Sequence, residues 1–231
     1  MTEEEWLTAT DPEPMLLDVL CNRASDRKFR LFAVGCCRRM GPLLVDPRSQ
    51  KGVDVAERFA DQLATEQERE AAYTDARRVV TRAPAVEEAA RFYGPGTAAY
   101  HANGAAACVA MWIAQAATTR PAGAVSDREW WVAQSQERLL QTKLLREIFG
   151  NPLRPVAFDR AWQTPTVNSV AQAIYDERQL PSGLFDNQRM GVLADALEEA
   201  GCDNPDILGH LRGVGDHVRG CWAVDLVLGK Q

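Results

Sequence analysis

The apolar residues of this chain recur at helical spacing nearly everywhere, and nowhere do they alternate over the length of a strand. Phe29, Phe32, Ala33, Cys36, Cys37 and Met40 follow one another at intervals that keep one helix face apolar. Ser25 stands where an N-cap belongs, and Gly41-Pro42 stops the run. Asp46-Pro47 reads as an N-cap with proline in the first turn, opening a helix with Val55, Ala56, Phe59, Ala60 and Leu63 on one side. Further helices are expected over 66–82, 84–92, 97–118, from the Ser126 cap to Gly150, over 167–178, through Met190, Leu193, Ala194 and Leu197 up to Gly201, and over 205–212, with a last one capped by Asp216 and running to Gly229. The small-residue density of 97–118 makes that segment the expected central helix, because small side chains permit close approach. Ser126-Asp127-Arg128-Glu129 has the form of a capping box. The expected fold is all-α, a compact multi-helix bundle with no significant sheet. A single helical domain over 1–231 is expected, with a subdivision allowed at the proline-containing segment 151–165.

Composition narrows the class further. Hydrophobic residues make up 46% of the 231 and charged residues 25%, which excludes a disordered chain. The longest weakly polar stretch, 104–117, is interrupted by Gln115 and too short to cross a bilayer. The N-terminal Met-Thr-Glu-Glu-Glu-Trp lacks the basic and apolar character of a secretory signal, so a cytoplasmic location and reduced thiols are expected for the six cysteines. A formal net charge of −6 argues against a general affinity for nucleic acid or anionic membrane.

The sharpest local pattern is Cys202, His210, His217 and Cys221. Two of the three histidines and two of the six cysteines fall within these twenty residues. Two thiolates and two imidazoles suit tetrahedral zinc. On a continuous helix His217 and Cys221 lie one turn apart, and Asp225, one turn further, is placed to accept an imidazole N–H as a supporting group. The alternative is that both thiols pack as small apolar groups and both histidines cap or face solvent. Nucleophilic chemistry from Cys221 and His217, oriented by Asp225, is a third reading. His101, on a face with Ala105, Cys108 and Trp112, reads as a buried histidine. A second constellation is basic. Arg23, Arg27, Lys28, Arg30, Arg38 and Arg39 stand against Asp26 alone, a local charge of +5. Arg27, Lys28, Arg30, Arg38 and Arg39 form a candidate interaction face, either for a protein partner or for acidic helices of the same chain.

Three stretches carry a resemblance: Glu4 to Pro12 together with Asp26 to Arg39, the run Leu144 to Pro152, and the segment from Ala194 to Lys230. Together they resemble an uncharacterised helical protein family of planctomycete-type bacteria. The family pattern has a cysteine where this chain has Leu211 and another near Val34, and the resemblance implies no activity. The functional expectation is a non-enzymatic helical interaction module, an accessory or adaptor subunit with a protein partner and no required cofactor. A zinc-stabilised helical domain is the alternative, followed by a Cys/His-dependent hydrolase.

Overall fold

The computed structural model describes residues 1–20, 23–39, 44, 46–77 and 127–230. The expected helices over 84–92 and 97–118, the Ser126 capping box, His101, Cys21 and Cys108 lie outside the described residues. The chain divides into two compact units, Met1–Leu145 and Arg146–Gln231. The fold is an all-helical bundle. Among the described residues the only β features are two bridges, Gln179 with Leu184 and Leu184 with Val218.

In the first unit, α1 (Glu3–Thr8) starts at a capping box in which Thr2 and Glu5 each satisfy the other's backbone amide. It buries Trp6 completely. Asp11 caps α2 (Pro12–Pro14), which leads directly into a π-helical turn, Met15–Leu20. The stripe that the spacing defined on α3 (Asp26–Arg39) is buried at Phe29, Phe32, Ala33, Cys36 and Cys37. Asp46 caps α4 (Pro47–Ala60) by accepting from the Arg48 amide. That helix ends earlier than its apolar pattern suggested. Gln62 adopts a positive φ of 60°, the chain turns, and Leu63 is left 59% exposed rather than packed. Thr65 and Glu68 close a second reciprocal cap on α5 (Glu66–Arg77). The long helix α6 (Asp127–Phe149) follows, with Leu144 and Ile148 buried as the spacing indicated.

In the second unit the 151–165 segment is irregular, with one 3₁₀ turn at Arg160–Trp162. Val156, Phe158 and Trp162 rest against the core, and the Phe158 and Trp162 rings meet edge to face at 5.5 Å. Thr164 caps α7 (Pro165–Asp176), Asp186 caps α8 (Asn187–Glu199) and Asn204 caps α9 (Pro205–Arg212). The four α8 residues singled out by spacing, Met190, Leu193, Ala194 and Leu197, are all fully buried. They pack with Val167, Ile174, Ile207, Leu211 and Val224 into one core.

The end of the chain departs from the expectation. No helix starts at Asp216. The segment 213–220 is irregular, and α10 spans only Trp222–Leu228, with Cys221 at its N-cap. Gly220 takes a φ of 95°, a conformation that breaks a helix. The segment is instead held by tertiary bonds: the Phe185 amide donates to the His217 carbonyl at 2.7 Å, and Arg219 donates to the Tyr175 carbonyl while its guanidinium lies over the Tyr175 ring. Among the described residues no helix is long and apolar enough to cross a membrane.

Adjacent positions on α8 test this packing. Leu193→Ala removes a fully buried side chain and is expected to destabilise by about 2–5 kcal/mol through transfer and cavity terms. Val192→Ala, at a residue 54% exposed, is expected to change stability by no more than about 0.5 kcal/mol. Chemical denaturation of the two variants side by side checks the contrast.

Candidate metal centre

Glu147, His210, His217 and Cys221 each bring one ligand atom into a single group, all within 4.8 Å of one another. They arrive from four pieces of the second unit: the last turn of α6, the last turn of α9, the 213–220 segment and the N-cap of α10. His217 Nδ1 lies 3.1 Å from both Glu147 carboxylate oxygens, and its Nε2 lies 3.1 Å from the Gly213 carbonyl. His210 Nε2 lies 3.3 Å from Glu147 Oε2 and 3.2 Å from Cys221 Sγ. The two imidazoles meet at 4.9 Å between centroids, and the Trp222 ring packs on His210 at 5.0 Å.

Three of the four residues that the sequence pattern proposed are thus brought together. The fourth place belongs to Glu147, not Cys202. Cys202 packs in the apolar core of the unit, 2% exposed, its amide bonded to the Leu197 carbonyl. The route by which His217 and Cys221 meet also differs from the expectation. They do not share a helix turn, because His217 precedes α10 and is positioned by the bonds that hold the irregular segment. Asp225 is buried in the first turn of α10 but is not one of the four converging groups. Glu147 was missed because it stands 70 residues from His217. One signal was legible: it is an acid three residues after Leu144 and one before Ile148, on a face that both of them bury.

The electrostatics of the group are strongly coupled. Burial alone raises the Glu147 carboxyl, yet hydrogen bonds from His210 and His217, with their charge, hold its pKa down at about 2. For His217 burial works against the charged ring, and the Glu147 carboxylate and the Gly213 carbonyl overcome it, so the pKa is raised. Burial pushes the Cys221 thiol well above its ordinary range, and the Glu147 charge adds to this, against the opposing pull of the Val224 and Ala223 amides.

This arrangement is a poor nucleophile. Cys221 is fully buried and its thiol is held protonated. Its imidazole neighbour is His210, and that ring meets Cys221 and Glu147 through the same nitrogen, Nε2. A triad relay needs the base and its orienting carboxylate on opposite ring nitrogens. Convergence on one point is what a shared cation needs. Zinc bonds of about 2.0–2.3 Å at tetrahedral angles put neighbouring ligand atoms about 3.3–3.6 Å apart. The three donor pairs given above lie 3.1–3.3 Å apart, at hydrogen-bond distance and near that spacing, and the four ligand atoms together lie within 4.8 Å of one another.

Three cations of the candidate interaction face form internal pairs. Arg27 bonds Asp61 at 2.8 Å, Arg38 bonds Glu57 at 2.7 Å and Asp54 at 3.0 Å, and Arg39 bonds Glu137 at 3.0 Å. Arg30 is 5% exposed and lies over the Phe59 ring. The Lys28 amide bonds the Ser25 hydroxyl at the start of α3. Of the two alternatives weighed for these cations, pairing with acidic groups of the same chain is the one the geometry displays for Arg27, Arg38 and Arg39. Cys36 and Cys37 are fully buried, as core packing requires.

Comparison with known proteins returns no matching family model, no matching curated protein and no matching solved structure.

Two substitutions probe these arrangements. Gly150 ends α6 with a φ of 64°, and a Cβ there lies 3.0 Å from Trp222 Cγ. Gly150→Ala is expected to cost about 1–3 kcal/mol, from the left-handed backbone and from overpacking the ring that backs His210. A lowered denaturation midpoint with altered tryptophan fluorescence is the expected readout. Glu57→Ala strips Arg38 of its closest carboxylate and leaves it the exposed Asp54, and the expected loss is about 1–3 kcal/mol in chemical denaturation.

Proposed function

We propose that the second unit is a zinc-stabilised helical module, with Glu147, His210, His217 and Cys221 as the four ligands. The observation that carries this reading is the convergence of one carboxylate, two imidazoles and one thiol to within 4.8 Å. A thiol and two imidazoles select a borderline-soft divalent ion, and calcium and magnesium prefer oxygen donors. Four protein ligands close a tetrahedral shell, which is the arrangement of a structural site. His217 would bind through Nδ1, leaving its Nε2–H on the Gly213 carbonyl, the usual outer support of a metal-bound imidazole.

The role of the ion follows from what it ties down. Gly213, Gly215 and Gly220 make the 213–220 segment costly to order, and no helix or sheet ladder runs through it. A crosslink from α6 through α9 to the start of α10 supplies folding free energy there. This reading takes precedence over the interaction module that composition and periodicity favoured, because the cluster is a specific chemical observation. Arg27, Arg38 and Arg39 pair with acids of the same chain and lend the interaction module no support.

Titration of chelator-treated protein with Zn²⁺ or Co²⁺ is expected to give one equivalent bound per chain and a higher Tm. Cys221→Ser is expected to remove the thiolate charge-transfer absorption of the Co²⁺ form. Cys202→Ala is expected to leave the stoichiometry intact, which separates the observed ligand set from the one read off the sequence. Absence of stoichiometric binding, or binding indifferent to Cys221→Ser, overturns the reading.

Binding should also release protons. Burial holds the Cys221 thiol protonated at neutral pH, and the upward shift of His217 adds proton competition in the same direction, so affinity is expected to rise with pH. Calorimetry in two buffers of different ionisation enthalpy measures this directly. Identical heats in both buffers would show that no proton leaves.

A further inference from the structure

We infer that His210 is the ligand that opens in this site, and that the ion enters and leaves on the His210 side. The inference rests on the metal-binding reading above. The four donors are not held equally. Cys221 is fully buried, fixed in the backbone that starts α10, whose first intrahelical bond runs from the Asp225 amide to the Cys221 carbonyl. The His217 side chain is 4% exposed and engaged at both ring nitrogens, so it cannot turn without breaking the bond to Gly213. Glu147 is 10% exposed and sits on a helix of 23 residues.

His210 differs on each count. Its side chain is the most exposed of the four, at 19%. Only its Nε2 faces the other donors, and among the described residues no protein group hydrogen-bonds its Nδ1. A metal-bound imidazole is ordinarily oriented by an acceptor on its second nitrogen, as His217 is by Gly213. His210 is kept in place by ring contacts with Trp222 and His217, which are not directional in the way that a hydrogen bond is. It projects from the last turn of the eight-residue helix α9, just before the glycine-containing segment begins. When the ring swings out, Glu147, His217 and Cys221 still hold the ion, and the vacated position is open to water or to a small nitrogen or sulfur donor. Three protein ligands plus one exchangeable position is the coordination of an accessible zinc site. A site closed by four ligands at rest and opened through one of them binds its metal reversibly.

The test uses the full chain loaded with Co²⁺ or Zn²⁺ and challenged with excess chromogenic chelator. One equivalent bound by the unsubstituted protein establishes the site, and failure at this step overturns the metal reading and this inference together. With that established, His210→Gly is expected to retain one equivalent but to release it at least about tenfold faster, a loss on the scale of removing an outer support. Free imidazole is expected to slow that release by filling the vacated position and to shift the Co²⁺ spectrum. His217→Gly is expected to lose stoichiometric binding, with no recovery on adding imidazole. His210→Asn, which keeps a polar group of smaller volume beside Trp222, is expected to match His210→Gly, and melting curves confirm that both variants are folded. Equal release from the His210 and His217 variants, or release from His210→Gly that is indifferent to imidazole, overturns the inference while the metal site itself stands.

Discussion

A carboxylate in the last turn of α6, nearly closed to water, has to be met by donors or by a cation, and the end of the chain is arranged around that requirement. An uncompensated carboxylate at the position of Glu147 would protonate or force the unit open. Two imidazoles answer it, and the thiol of Cys221 completes the ring of donors. The apolar parts of the second unit then serve as a frame. Trp222 backs His210, Gly150 leaves room for Trp222, and the Phe185 amide holds the backbone of His217 in place. The same feature makes the group both a hydrogen-bonded cluster and a donor set capable of coordinating a metal ion.

The frame itself is built by local rules. Side-chain N-caps, from Thr2 to Asn204, set where helices begin. Each satisfies backbone donors that would otherwise be left without partners. Apolar faces on α7, α8 and α9 then have one common place to go. That leaves the 213–220 segment as the part of the unit whose conformation rests on bonds to distant residues rather than on its own periodicity. It is also the part that carries His217.

Charge is handled differently in the first unit. Three cations of its basic α3 pair with acids of α4 and α6 and with Asp61, with Glu57 and Glu137 almost completely buried against Arg38 and Arg39. Burying one member of such a pair without the other is strongly unfavourable, so these contacts specify how the helices of that unit register against each other. A sequence-local charge of +5 is therefore no guide to the field at the surface.

Much of the fold was legible in the residues alone. The stripe on α3, the core face of α8, the caps at Asp46 and the helix over 205–212 are decided within a few residues, because periodicity and capping are local physics. Helix ends were less secure where they depended on one dihedral angle: Gln62 turns the chain before Leu63 can pack, and Gly220 prevents any helix from joining His217 to Cys221. Within the site, the histidines and Cys221 stood out as rare, chemically able residues close together, so composition and spacing found three of the four donors. Glu147 belonged to a different stretch and Cys202 to the core, and no spacing rule separates those two roles. Which acid or thiol reaches a given point depends on where the last turn of α6, the last turn of α9 and the pinned irregular segment come together. Only the tertiary structure decides that, since convergence is a property of three-dimensional packing and the sequence carries no distance between residues 70 apart.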